Sequence, residues 1–177
     1  MLNIDLESER LIYKRLSLDH LSKDYVAWMN DPNVNMYLES RGHYTLEMLK
    51  SYIEQQYQNE IYFWGIHLKD SNKHIGNIKI DPINKESNSG EYGILMGDST
   101  NWGKGYGKEA STRIINFCFN ELQLSKITLG VVEDNIAAVK LYEKLGFVTD
   151  EVKENIGTYN GKICNALRMS LDVKNFK

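Results

Sequence analysis

At 177 residues the chain suits one domain with a sizeable core, and its 42% apolar and 25% charged content is that of an ordinary globular protein. Twenty-four acidic against 21 basic side chains give a formal net charge of −3, and the basic residues are dispersed, which argues against a nucleic-acid partner. No apolar run reaches membrane-spanning length, the acidic start Met1 to Glu7 is unlike a secretory leader, and Cys118 and Cys164 lack metal-ligand spacing; the expectation is a cytoplasmic protein with reduced packing cysteines and neither a membrane nor a metal partner.

Leu11 to Leu16 reads as a strand, and Leu18 to Met29 as a helix that Asp31-Pro32 stops, because proline disfavours helical backbone in the residue before it. Thr45 to Gln58 is a second helix, with Thr45 as its cap and Leu46, Leu49 and Ile53 as its apolar stripe. Ile61 to Leu68, His74 to Pro82 and Gly90 to Met96 follow as an antiparallel meander, with turns at residues 70–72 and 84–89.

Then comes Asn101-Trp102-Gly103-Lys104-Gly105-Tyr106-Gly107-Lys108, between the last meander strand and a helix from Glu109 to Leu122. Its alternating glycines let the backbone turn tightly and lie against a ligand, and the amides of the turn and of the following helix end favour an anion such as a pyrophosphate. A bare structural turn is the competing reading. A Walker loop is excluded because Gly107-Lys108 is followed by Glu109, and a dinucleotide fingerprint because Gly105 and Gly107 are separated by Tyr106 alone.

Lys126 to Val132 is the next strand. Asp134-Asn135 opens a short helix with Ile136, Val139 and Leu141 at roughly helical spacing, and Gly146 closes it. Strands near Phe147 to Val152 and Lys162 to Leu171 complete a mixed α/β sheet with a strand-helix-strand unit at its centre, and its crevice is expected at the carboxyl ends of the strands.

Trp102 to Gly107 after a strand, then a helix, a strand, Asn135, and Tyr142 within Leu-Tyr-Glu-Lys-Leu-Gly-Phe, resemble the GCN5-related N-acetyltransferases. The closest likeness within them is to the group of ribosomal-protein alanine acetyltransferases and small-molecule amine acetyltransferases. The resemblance is strong from about Ile75 to Phe147 and looser outside. It implies one N-acetyltransferase domain over residues 1–177, built on a mostly antiparallel mixed sheet of about seven strands with helices on both faces. It also implies acetyl-coenzyme A as co-substrate and a small-molecule amine as acceptor; a homodimer is compatible with it.

In such a protein the strand edge at Ile94, Leu95 and Met96 pairs with the pantetheine amides, as in strand addition, and the amides of Trp102, Gly103, Lys104, Gly105, Tyr106 and Gly107 cradle the pyrophosphate. Lys104 or Lys108 adds charge near the phosphates or is simply solvated. Asn135 binds the pantetheine arm, a role compatible with helix capping. Tyr142 protonates the departing thiolate, against the alternative of a half-buried packing aromatic. The loop departs from the family at Trp102, where Gln or Arg is usual, which matters little to a site made of backbone amides.

The proton acceptor is a second departure, because the glutamate that the ribosomal alanine enzymes carry five residues before the Asn is Gly130 here. Glu91 is the best replacement, with a surface carboxylate as the alternative; His43, His67 and His74 have only their residue type in their favour. For the acceptor, the family places the stretch from Trp28 to Arg41 at the cleft. Trp28, Tyr37, Glu39 and Arg41 suit a polar amine carrying a sugar or phosphate, unless the two aromatics are core residues. The same stretch resembles acetyltransferases of nucleotide-linked amino sugars. The first expectation is therefore an amino-sugar acetyltransferase; the alternatives are an N-terminal protein acetyltransferase of the ribosomal-protein type and a non-catalytic acyl-coenzyme A sensor.

Overall fold

The computed structural model describes residues 4–38, 43–59 and 61–176. Its strands are β1 (Leu6–Glu7), β2 (Leu11–Arg15), β3 (Tyr62–Leu68), β4 (His74–Asn84), β5 (Ser89–Leu95), β6 (Lys126–Val132), β7 (Val148–Tyr159) and β8 (Lys162–Asp172). They hydrogen-bond in the order β1-β2-β3-β4-β5-β6-β8-β7. The β5–β6 pair is parallel, and β1–β2, β2–β3, β3–β4, β6–β8 and β7–β8 are antiparallel. The sheet is thus mixed and mostly antiparallel as expected, with eight strands in place of about seven. Internal contacts divide the chain into two compact units, Met1–Asp81 with Gly93–Arg113 and Pro82–Tyr92 with Ile114–Lys177.

In the first unit, the single helix expected from Leu18 is cut by two serine caps. Ser17 caps the start of a 3-10 turn over Leu18–His20, and the Ser22 hydroxyl, accepting from the Tyr25 amide, opens α1 (Lys23–Asn30). Asp31 ends α1 and caps α2 (Pro32–Asn35), whose first position takes the proline because no amide is needed there. Thr45 caps α3 (Leu46–Gln58) by accepting from the Met48 amide. Leu49 and Ile53 of its expected stripe are fully buried, but Leu46 is 44% exposed. They join Leu16, Tyr25, Trp28, Met29, Val34 and Phe63 in one core cluster, where each large apolar side chain contributes about 1.5–3 kcal/mol.

In the second unit, β7 and β8 form a hairpin that runs on to Tyr159, seven residues past the expected end at Val152. Tyr159 pairs with Lys162 across Asn160-Gly161, both at positive φ (51° and 75°), the backbone of a tight two-residue hairpin turn. Here α4 (Tyr106–Asn120), which begins in the first unit, ends ahead of the expected Leu122. The later helix, α5 (Ile136–Lys144), stops at Gly146, whose φ of 94° suits glycine. Cys118 and Cys164 are buried free thiols, and burial pushes the Cys118 thiol up to about 12. Among the described residues, no helix is long and apolar enough to cross a membrane.

Candidate functional site

The glycine-rich turn belongs to the first unit and is fixed from below. Asp98 caps the 3-10 turn Ser99–Asn101: its carboxylate accepts from the Thr100 amide (3.0 Å), the Thr100 hydroxyl (2.6 Å) and Asn101 Nδ2 (2.9 Å), and it pairs with Lys73 Nζ at 2.6 Å. Burial alone would raise its pKa, but the bonds from Lys73 and Thr100 prevail and hold it at about 2. Trp102 donates its indole N–H to the Met96 carbonyl at 2.8 Å. The residue that departs from the family pattern is therefore a brace across the base of the loop. It also occupies the carbonyl of Met96, which lies one residue past the end of β5.

Above that base, Gly103 and Gly105 stand at φ of 75° and 84°, a conformation that residues with a Cβ resist. A Cβ at Gly103 would meet nothing within 4 Å, and one at Gly105 only Arg10 Nη2 at 3.5 Å, so the outer face of the turn is an open cradle. Helix α4 begins at Tyr106, three residues earlier than expected, which leaves the amides of Tyr106, Gly107 and Lys108 without intrahelical carbonyls. The first-turn carboxylate, Glu109, would oppose an anion but is engaged by Arg10 Nε (2.7 Å), the Arg10 amide (2.7 Å) and the Ser8 hydroxyl (2.7 Å). Arg10 also donates to the Lys104 carbonyl at 3.0 Å and lies 4.5 Å over the Tyr106 ring. Lys104 Nζ is held by Asn101 Oδ1 at 2.9 Å, while Lys108 is exposed.

The end of β5 forms one wall of a cavity of about 240 Å³, again wholly within the first unit. Gly93, Ile94 and Leu95 line it with Tyr25 and Met29 of α1, Leu38, Tyr44, Leu49 and Tyr52 around α3, Phe63 of β3, and Asn77 and Lys79 of β4. Neither Trp28 nor Tyr37 is among these residues. Trp28 lies in the core cluster, so close to Gly97 that a Cβ there would overlap its ring, and Tyr37 is half-buried. Glu39 and Arg41 lie outside the described residues. The actual lining was hard to read from sequence, since Tyr25, Tyr44 and Tyr52 carry no motif.

Three imidazoles cluster beside this cavity, His67 stacked on His74 and His20 set at an angle to both. Ring centroids of His20, His67 and His74 lie 4.9–5.1 Å apart, and His74 also meets the Trp28 and Tyr25 rings edge-on. Burial holds His67 down at about 4 and His74 at about 3, helped by mutual repulsion, and lowers His20 as well. All three are neutral at physiological pH. His74 Nε2 lies 2.9 Å from both the Gly76 carbonyl and Asn77 Oδ1; a carbonyl only accepts, so Nε2 carries the proton and the Asn77 atom facing it is the oxygen. His20 Nε2, His74 Nδ1 and Asn77 Nδ2 are buried without a hydrogen-bond partner among the described residues. Among the described residues no group of three or more His, Cys, Asp or Glu side chains could hold a metal ion. His43 is exposed.

The second unit carries the remaining expected residues. Glu91 of β5 is gripped by the Arg168 guanidinium, Nη1 and Nη2 each 2.7 Å from one carboxylate oxygen, and accepts from the Thr128 hydroxyl at 2.9 Å. Asn135 caps α5 through Oδ1, which accepts from the Ala138 amide at 3.3 Å. Tyr142 is 7% exposed, edge-on to Tyr92 at 5.9 Å and tilted against Phe147 at 5.9 Å. Burial pushes its phenol up to about 12, so it holds its proton at neutral pH.

Comparison with known proteins agrees with this architecture. The family described as "Acetyltransferase (GNAT) domain" matches residues 10–148. The uncharacterised N-acetyltransferase p20 of Bacillus licheniformis is 24% identical over 170 residues, 94% of each chain. The spermidine N-acetyltransferase of Vibrio cholerae, solved in complex with CoA and spermine, superposes with a TM-score of 0.84 at 22% identity, covering 95% of this chain and 98% of its own. The ribosomal-protein-S5-alanine acetyltransferase of Vibrio fischeri gives 0.81 at 21% identity over 98% and 99%.

Proposed function

The chain belongs to the GNAT family of acetyltransferases, and from that premise we propose that it moves the acetyl group of acetyl-coenzyme A to a primary amine of a small molecule. The observation that carries this reading is the open cradle at Gly103 and Gly105 over the start of α4, whose first-turn carboxylate is already neutralised by Arg10. Acetyl-coenzyme A supplies an activated thioester. The amides from Trp102 to Gly107 hold its pyrophosphate, Ile94 and Leu95 pair with its pantetheine arm, and Lys108 adds charge from the loop's exposed side. A fold neighbour solved with CoA supports the assignment.

In the transfer the neutral amine nitrogen bonds to the thioester carbonyl carbon, the carbon–sulfur bond breaks, and the proton that the nitrogen loses balances the one that the thiolate gains. We assign delivery of the proton to sulfur to Tyr142, which stays protonated, and a hydrogen bond to the pantetheine arm to Asn135 at the start of α5. For Glu91 we favour a structural role over that of base, because Arg168 and Thr128 engage both of its oxygens. The two units together make one acetyltransferase domain in this reading, since the family match from 10 to 148 runs through both.

The test is calorimetric titration with acetyl-coenzyme A, joined to thiol release in the presence of a panel of amines. Binding with turnover on at least one amine is expected. Binding without turnover on any amine favours the acyl-coenzyme A sensor, and no binding ends the proposal.

A further inference from the structure

Given the acetyltransferase reading, on which this inference rests, we infer that the acceptor is a primary amine on an apolar or aromatic body that also carries a carboxylate, an amino-acid-like molecule and not a polyamine or an amino sugar. The cavity beside Ile94 and Leu95 carries the argument, because the strand edge assigned to the pantetheine arm is also one of its walls. A molecule bound there lies alongside that arm.

Its walls are rings and aliphatic chains: Tyr25, Tyr44, Tyr52 and Phe63, with Met29 and Leu49. Burial raises the phenols of Tyr25 and Tyr52, the latter to about 12, so these walls stay uncharged. At about 240 Å³ the space lies just below the usual range for small-molecule sites and matches one amino-acid-sized body. Two polar groups stand on the β4 side. The Lys79 stem packs over Gly93, 3.6 Å from where a Cβ would sit, and its ammonium has a loose ion pair with Asp81 at 3.8 Å. Asn77, 2% exposed, lies two residues away on the same strand face and also lines the cavity; with its oxygen committed to His74, its buried NH₂ has no partner among the described residues.

A cation and an orphaned donor together ask for an anionic oxygen. Among the described lining residues there is no carboxylate, and the nearby Asp81 is paired with Lys79, so the second and third ammonium groups of a polyamine meet the lysine with no free carboxylate in the lining to receive them. A sugar would bring hydroxyls all round its ring against walls whose polar groups are three phenols, Lys79 and Asn77, and each hydroxyl buried without a partner weakens binding. An aromatic or branched-chain amino acid places its body among the rings and its carboxylate at Lys79 and Asn77.

The experiment compares phenylalanine, leucine, phenethylamine, spermidine and glucosamine as acceptors in thiol release, in the wild type and in Lys79→Met. The expected result is a kcat/KM for phenylalanine or leucine at least tenfold above those for spermidine and glucosamine. Lys79→Met should raise KM severalfold for the amino acids while KM for phenethylamine, which lacks the carboxylate, and the affinity for coenzyme A stay unchanged. Preference for spermidine or glucosamine, or an equal effect of Lys79→Met on phenylalanine and phenethylamine, overturns the inference while leaving the acetyltransferase reading intact. Calorimetry with phenylalanine alone gives a second readout that needs no turnover. Should acetyl-coenzyme A fail to bind, the parent reading falls, and phenylalanine binding that Lys79→Met weakens still supports the cavity's chemistry, whereas its absence overturns that too.

Discussion

Acidification from pH 7 to pH 5 is expected to destabilise the protein by about 2–4 kcal/mol, through the imidazole stack and not through carboxylates. His67 and His74 are held neutral by burial down to about 4 and 3, against 6.5 for an exposed histidine. Below 6.5 the unfolded chain takes up protons at these positions and the folded one does not, so stability falls as pH falls until the folded values are reached. Each such histidine costs about 1.4 kcal/mol per pH unit over that window, hence about 2 kcal/mol by pH 5. Two of them give the upper figure, and water that still reaches His67 trims it toward the lower one. That is a large share of a typical total of about 5–15 kcal/mol. Asp98 and Glu109 also have lowered pKa values, but from starting points of 3.8 and 4.5, so their loss begins below the window. Urea unfolding at pH 7, 6 and 5 measures the effect, with the double variant His67→Phe/His74→Phe as the control whose stability falls less over the same range, by the part that His20 still contributes. A wild-type stability that is level from pH 7 to pH 5, or a double variant with an unchanged slope, would refute the reasoning.

Gly105→Val is expected to weaken coenzyme A binding by tenfold or more with the fold retained, because a β-branched residue resists a φ of 84° and the turn must change shape; unaltered affinity by calorimetry in a folded variant would sink the cradle assignment. Tyr142→Phe should lower kcat by about a hundredfold with little change in coenzyme A affinity, since only the phenolic proton is removed, and a rate within about twofold of wild type would make Tyr142 a packing residue. Glu91→Gln should lower stability by about 1–2 kcal/mol through the loss of its charge-assisted bonds to Arg168 and leave the rate–pH profile superimposable on that of wild type. A fall in rate at neutral pH that recovers as pH rises would instead make Glu91 the base.

Local chemistry explains which parts were legible in the sequence. The loop, the Asn135 cap and the Gly146 stop depend on glycine and capping side chains, whose effects are confined to a few neighbouring residues, and the structure has them where the spacing put them. The serine caps that split the first helix were equally local but were masked by the apolar periodicity running through Leu18 to Met29. The turn at Asn160-Gly161 is a similar case: an Asn-Gly pair is a strong hairpin signal, yet the mostly exposed strand before it, from Val148 to Tyr159, lacks the alternation that marks a half-buried one. Two-residue β1 has too few residues to carry any pattern. The cavity lining and the pairing of Glu91 with Arg168, 77 residues on, are products of tertiary contact, and no spacing rule reaches that far.

The imidazole stack and the cavity meet at one hydrogen bond. A phenylalanine at position 74 would pack against Trp28 and Tyr25 as well as an imidazole does and would add nothing to acid sensitivity. It would, however, offer no N–H. The Nε2 proton of His74, shared at 2.9 Å between the Gly76 carbonyl and Asn77 Oδ1, turns the Asn77 oxygen toward the stack and leaves its NH₂ on the other side. Because burial keeps His74 neutral, one nitrogen always lacks a proton; the Gly76 carbonyl decides which, and so fixes the amide's orientation. The cost of three buried neutral histidines in acid is thus the physical counterpart of a cavity floor whose polarity does not flip near neutral pH.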